Sequence, residues 1–205
     1  MQATDSGFDP EKHRAIIFDC DGTLADTMGL HFVAWSTLAA RYGLTFSRER
    51  FFAMAGVPTR AILTELAGEA GIQLDLDAVC KEREALFMEQ IPHVAPIESV
   101  VSIARQWRFK VPISVASGSV RSAVRTTLTH LDIVDWFGVI LGAEDTVAGK
   151  PAPDIFLLAA EQMGISPNAC VVYEDSDKGL EAAKAAGMDG IDVRGWYTPF
   201  WPDNT

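Results

Sequence analysis

Five short runs of apolar and β-branched residues constrain this chain most: AIIF at 15–18, PISVA at 112–116, GVIL at 138–141, CVVYE at 170–174 and GIDV at 190–193. Amphipathic stretches over 97–107, 119–131, 153–163 and 177–186 separate the later runs. Each is roughly 10 to 13 residues long, the length of an ordinary globular helix. Strand and helix in alternation predict an α/β fold, a doubly wound parallel sheet with helices on its faces. Strands in such a sheet are covered on both sides, which accounts for runs that are continuously apolar instead of alternating.

One segment breaks the alternation. Residues 28–93 contain no convincing strand but at least three helical patterns, the first placing Leu30, Val33, Ala34 and Leu38 on one face, with others over roughly 58–70 and 77–91. The expected organisation is a core of residues 1–27 and 94–205 with a helical insert, 28–93. The insert is expected above the carboxyl ends of the strands, where open α/β sheets bind their ligands.

Composition narrows the function classes. Hydrophobic residues make up 48% of the 205 and charged residues 22%, ordinary for a globular protein. No run approaches the ~18 apolar residues of a membrane helix, and the polar start MQATDSGFDPEKHR has no signal-peptide core. A formal charge of −11 argues against nucleic acid as a partner, since phosphate backbones are bound through basic surface. An anionic small molecule would need local cations to offset that charge. Cys20, Cys80 and Cys170 are odd in number and lack CxxC spacing, so reduced thiols in a cytoplasmic protein are expected.

The polar residues that stand out follow strands or lie in loops. AIIFDCDGTLADT ends a greasy strand in Asp19 and Asp21, two positions apart. A carboxylate can attack phosphorus and a second one nearby can move protons, although Asp, Gly and Thr also simply make turns. SVASGSV places Ser117, Gly118 and Ser119 at a strand–helix junction, where hydroxyls and amides can bind phosphate and where Ser119 could equally cap the helix. GKPAPDIF presents Lys150 from a Pro-containing loop, as a point charge for an anion or as a surface lysine. VVYEDSDKG ends another strand in Glu174 and Asp175 ahead of Ser176 and Asp177. Two acid pairs at two strand ends suit a hard cation such as Mg²⁺, while Ser176 and Asp177 can be explained by helix capping.

Together, FDCDGT, VASGS, GKPAPDIF and YEDSDKGLEAAKAAGM resemble the four motifs of the haloacid dehalogenase superfamily, across residues 15–194. Within it the chain looks like the β-phosphoglucomutase and fructose-1-phosphatase-like branch, whose helical cap follows the first motif. That resemblance implies a Mg²⁺-dependent enzyme with Asp19 as nucleophile and Asp21 as general acid/base. It also implies Ser117, Gly118 and Lys150 binding phosphate, and Asp19, the Asp21 carbonyl, Glu174 and Asp175 holding the metal. Asp21 separates the chain from the metal-free dehalogenases. In the cap, LHFVAW resembles the stretch with a hinge histidine, here His31, and AGVPTR resembles a substrate loop in which Arg60 falls one position late. Thr59, Arg60 and Arg83 are the further candidates for substrate contacts. Where the mutases have Ser-Ala-Ser-Lys, this chain has Ser117, Gly118, Ser119 and Val120, without the lysine that grips a second phosphate. The expectation is a sugar-phosphate phosphatase, monomeric or weakly self-associating. A phosphosugar mutase is the alternative, and a non-catalytic phospho-acceptor stands behind it. Cys20 is expected to pack, without chemistry of its own.

Overall fold

The computed structural model describes residues 7–54 and 57–201. In chain order the first elements are β1 (Ala15–Phe18), β2 (Ala25–Asp26), α1 (Met28–Tyr42), α2 (Arg48–Ala53), α3 (Thr59–Ala70), α4 (Leu76–Met88) and β3 (Ala95–Pro96). They are followed by α5 (Glu98–Trp107), β4 (Ile113–Ala116), α6 (Arg121–His130), β5 (Val139–Leu141), α7 (Asp154–Met163), β6 (Cys170–Glu174), α8 (Asp177–Ala185) and β7 (Asp189–Asp192). The residues form two compact units. Among the described residues, one joins 7–26 with Ala95–Thr198, the other Thr27–Val94 with 199–201.

The first unit is built on a five-stranded sheet of order β5-β4-β1-β6-β7, with every adjacent pair parallel. The alternating side chains of β1 feed two cores. Ile16 and Phe18 pack with Val100, Val101 and Ala104 of α5 and with Val124 and Leu128 of α6. Ala15 and Ile17 pack with Ile155, Phe156 and Ala159 of α7 and with Ala182 and Ala183 of α8. Phe18 and its register partner Tyr173 stack with ring centroids 5.2 Å apart. β1, β4 and β6 are buried along their whole length, as two covered faces require. β5 and β7 are not: as the sheet's edges they are only partly covered, and β7 alternates between half-buried and exposed residues. The chain builds outward from β1 through β4 to β5, then returns to the other side of β1 for β6 and β7. This puts the topological switch around β1, and the crevice beyond the carboxyl ends of β1, β4 and β6 is where such sheets take ligands.

A two-residue antiparallel ribbon, β2 with β3, joins the chain where it leaves for residues 27–94 to where it returns. Nothing in the hydrophobic pattern marks it, because two residues per strand carry no period. In the second unit α1 packs on α4 and α3 on α4. Ser47 and Asp75 cap α2 and α4, accepting from the amides of Arg50 and Ala78. Leu30, Ala34 and Leu38 of α1 are buried but Val33 is only half-buried; His31, Phe32 and Trp35 widen the buried stripe instead. Trp201 also belongs to this unit, with its ring against Phe32, Phe51 and Phe52 and beneath the Arg48 guanidinium at 3.7 Å.

Candidate active site

Asp19 is the first residue past β1, and its amide still donates to the Tyr173 carbonyl at 3.0 Å, so the sheet's own hydrogen bonding sets its position. The chain then folds back tightly. The amides of Leu24 and Ala25 both donate to the Cys20 carbonyl at 3.0 Å, and the Gly22 amide donates to the Ala25 carbonyl at 2.8 Å. Gly22 adopts φ +79°, and a Cβ there would overlap the Asp175 carboxylate. Both the backbone conformation and the close approach therefore require glycine at this position. Cys20 is fully buried in the core, and burial pushes its thiol well above the ordinary range, so it packs as expected.

Three strand exits and one loop converge here. Lys150, on the loop before α7, donates to Asp19 Oδ1 and to Glu174 Oε2, both at 2.7 Å. Glu174 ends β6 and is 1% exposed. Its Oε1 accepts from the Asp175 amide (3.2 Å), the Ser176 amide (3.0 Å) and the Ser176 hydroxyl (2.7 Å). Ser176 is also the N-cap of α8, accepting from the Gly179 amide. A Cβ on Gly179 would run into the Glu174 carboxyl group, so this glycine lets the first turn of α8 lie against the acid.

Ligand oxygens of Asp19, Glu174 and Asp175 all lie within 4.8 Å of one another. Burial, with the charges of Glu174 and Asp21, pushes the Asp19 carboxyl up to about 7 against the downward pull of Lys150. Burial, followed by the Asp19 and Glu174 charges, raises Asp175 well above the usual carboxylate range. Burial works against the charged form of Lys150, but the Asp19 and Glu174 carboxylates outweigh it and hold its pKa above the ordinary lysine value. One ammonium thus faces more negative charge than it can balance. An all-oxygen donor set with surplus negative charge fits a hard divalent cation, and among the described residues this cluster includes no soft ligand to favour a thiophilic metal.

Asp21 lies in a different setting. Its Oδ2 accepts from the Ser119 hydroxyl at 2.7 Å and lies 3.3 Å from the Ser117 hydroxyl, and Ser117 Oγ accepts in turn from the Ser119 amide at 3.0 Å. Ser119 is therefore not a helix cap: the N-cap of α6 is Val120, with no side-chain capping bond. Gly118 is exposed between the two serines, with open space around its Cβ direction. The structure brings Asp19, Asp21, Ser117, Lys150, Glu174 and Asp175 together. Sequence reasoning missed Ser119 and Ser176 as partners of the acids and Gly179 as the residue that makes room for Glu174, whereas Gly22 is the turn that the sequence marks after the two acids. The only signal was each one's place within three residues of an acid or hydroxyl already singled out.

The candidates in 28–93 form their own set. His31 is buried, stacked on Phe87 at 3.8 Å, and its Nδ1 is 2.7 Å from the Arg83 guanidinium. Arginine can only donate, so Nδ1 accepts and the ring proton is on Nε2. Arg83 is itself buried, 5.4 Å over the Trp35 ring. Arg60 is exposed and paired with Asp77, and Thr59 is half-buried at the start of α3. Ala55 and Gly56 of the AGVPTR stretch lie outside the described residues.

Comparison with known proteins agrees with this geometry. The family model described as haloacid dehalogenase-like hydrolase matches residues 13–187. The chain is 37% identical over 185 residues to the fructose-1-phosphate phosphatase YqaB of Escherichia coli (strain K12), covering 90% of this chain and 98% of that one. It is 30% identical over 189 residues to the β-phosphoglucomutase of Bacillus subtilis (strain 168), covering 88% and 83%. A crystal structure of β-phosphoglucomutase from Clostridium difficile matches in fold with a TM-score of 0.78 at 24% identity, over 88% of this chain and 84% of that one. By its motifs, its sheet order and these matches, the chain belongs to the haloacid dehalogenase-like hydrolase family.

Proposed function

We propose that this protein is a phosphatase that hydrolyses a small sugar phosphate through an aspartyl-phosphate on Asp19. The observation that carries the reading is the separation of its two strand-end acids. Asp19 is held by the Lys150 ammonium beside two further carboxylates, and Asp21, two residues on, is held by serine hydroxyls. One environment suits a nucleophile next to a cation, the other a group that gives up and recovers a proton.

A carboxylate oxygen of Asp19 attacks phosphorus in line, and the bond to the leaving alcohol oxygen breaks as Asp21 delivers its proton there. Asp21, now a carboxylate, takes a proton from water as that water attacks the phosphoryl group. The bond to Asp19 breaks, inorganic phosphate leaves, and both acids return to their starting states. Lys150 keeps Asp19 oriented and supplies positive charge next to the transferring group, with the exposed Gly118 backbone and, once turned from Asp21, the Ser117 hydroxyl as the donors to its oxygens. The side chains of Asp19, Glu174 and Asp175, with the Asp21 carbonyl, would hold Mg²⁺, whose charge when bound offsets that of the phosphoryl group. Residues 28–93 act as the cap that selects the substrate, with His31, Thr59, Arg60 and Arg83 as its candidate contacts.

The E. coli relative's name supports a sugar phosphate substrate. Val120, where the mutase pattern has a lysine, favours hydrolysis over transfer between two positions of one sugar. The free cysteines fit a reducing cytoplasmic setting, and the protein acts as a monomer or weak oligomer. The test is a panel of phosphomonoesters with Mg²⁺, including fructose 1-phosphate and β-glucose 1-phosphate with a bisphosphate primer. Stoichiometric phosphate release is expected. Glucose 6-phosphate formed without net phosphate release would convert the reading to a mutase, and inertness towards all would remove it.

A further inference from the structure

Ser119 fell to neither of the roles its sequence position offered. It does not cap α6, and its hydroxyl is committed to an acid instead of being left open to solvent. Its address is fixed from several directions. The Ser119 carbonyl accepts from the Ala143 amide at 2.9 Å, and the Ser117 amide donates to the Leu141 carbonyl at 3.1 Å, so the loop after β4 is stitched to the exit of β5. Gly142, between those two partners, lets the backbones approach: a Cβ there would overlap the Arg121 amide. The Arg121 amide also donates to the Glu144 carboxylate at 3.1 Å. Within the loop the Ser119 amide holds Ser117 Oγ, and both hydroxyls converge on one oxygen, Asp21 Oδ2. A carboxylate gripped by two hydroxyls on one oxygen loses its freedom to swing about χ1 and χ2.

We propose that Ser119 is a positioning residue for the proton-transfer step: its hydroxyl, anchored through the β5 exit, holds the Asp21 carboxyl in the orientation from which it protonates the leaving alcohol. The inference rests on the phosphatase reading above and assigns Ser119 no contact with the reacting atoms. Ser117, at the longer distance and with its oxygen already accepting from the Ser119 amide, is the weaker of the two anchors. Ser119→Ala removes the closer hydroxyl but leaves the backbone stitching intact, so the loop persists while Asp21 gains freedom to turn. Ser119→Thr keeps the hydroxyl.

The consequence depends on the leaving group. A sugar alkoxide must be protonated as it departs, whereas p-nitrophenolate leaves unaided. The experiment uses the full chain with Mg²⁺ and follows phosphoenzyme formation in single turnovers with fructose 1-phosphate, or whichever sugar phosphate the panel selects, and with p-nitrophenyl phosphate. Ser119→Ala is expected to slow the sugar phosphate step by about 10- to 100-fold with KM little changed. The p-nitrophenyl phosphate step should stay within about threefold, and Ser119→Thr should restore the sugar phosphate rate. Equal losses on both substrates, a loss confined to KM, or no loss at all would overturn the assignment. If Ser119→Ala does not fold, the folded Ser119→Cys variant is put to the same two-substrate comparison, and equal losses there overturn it as well. A wild-type enzyme that turns over no phosphomonoester removes the phosphatase reading and this inference together. An active wild type with an unselective Ser119→Ala removes only the inference.

Discussion

The two units each bury a basic side chain, and they satisfy it in opposite ways. Lys150 sits between two carboxylates at 2.7 Å, with a third nearby, so its charge is answered by a surplus of negative charge. Arg83 lies against a neutral imidazole nitrogen at 2.7 Å and over the rings of Trp35 and Phe87, with the Glu84 carboxylate 3.6 Å away. Burying a charge is costly unless it is paired, and the two sites meet that cost with different materials. The Lys150 site holds more charge than stability needs, and its acids are driven towards protonation as a result. At the Arg83 site one cation meets a histidine among aromatic faces, with the Glu84 carboxylate beside it. Functional chemistry is expected where the charges fail to balance.

Asp19→Asn tests the contrast most severely. Phosphate release should fall by about 10⁴-fold or more, because the nucleophile is gone. The metal-free protein should melt no lower than wild type, because one of the crowded charges has been removed. Full turnover in this variant, measured by phosphate release, would end the covalent mechanism. Lys150→Met comes next. Leaving buried carboxylates without their cation should cost about 3 kcal/mol in denaturant unfolding, against about 1 kcal/mol for Arg83→Met, which strands no anion of that cluster. A larger loss for Arg83→Met would reverse the comparison.

Proton linkage gives a third test. Asp19 is raised from its ordinary 3.8 to about 7 in the folded chain, so between those values the folded state holds more protons than the unfolded one. The stability of the metal-free protein is therefore full below the lower value and is lost as the pH rises towards the upper one. Thermal melts from pH 5 to 8 should show that decline. Saturating Mg²⁺ should offset it, adding about 5–10 °C at pH 8 and less at pH 5. An equal Mg²⁺ effect at both pH values would detach the cation from these acids. A modest effect is expected at Trp201, whose ring packs among Phe32, Phe51 and Phe52. Trp201→Ala should cost about 1–2 kcal/mol in unfolding while leaving the Mg²⁺-induced shift unchanged.

Much of the fold was legible because the central strands are buried on both faces. AIIF and CVVYE become β1 and β6 without a residue's difference, and the four later helices start within two residues of the expected positions. Legibility fades where burial fades: GIDV is displaced by one residue in β7, and the β2–β3 ribbon was invisible. In the site, Asp19, Asp21, Ser117, Lys150, Glu174 and Asp175 could be named because each lies at a strand exit or in a loop of the same motif series. Ser119 was misread because one serine before a helix looks the same whether it caps that helix or reaches an acid ninety-eight positions earlier.

The sequence by itself determined the five strands of the main sheet, where the helices between the later strands lie, and which residue types lie at the strand ends, since all of these follow from local hydrophobic pattern and backbone preference. Tertiary structure alone decided how those residues divide the work. Strand order brought β1, β4 and β6 side by side, and the stitching of the β4 loop to the β5 exit carried Ser119 to Asp21. The same order set Lys150 between Asp19 and Glu174. Two acids two residues apart acquired different surroundings for one physical reason. Electrostatic environment is fixed by neighbours within a few ångströms, and those neighbours come from parts of the chain that only folding brings together.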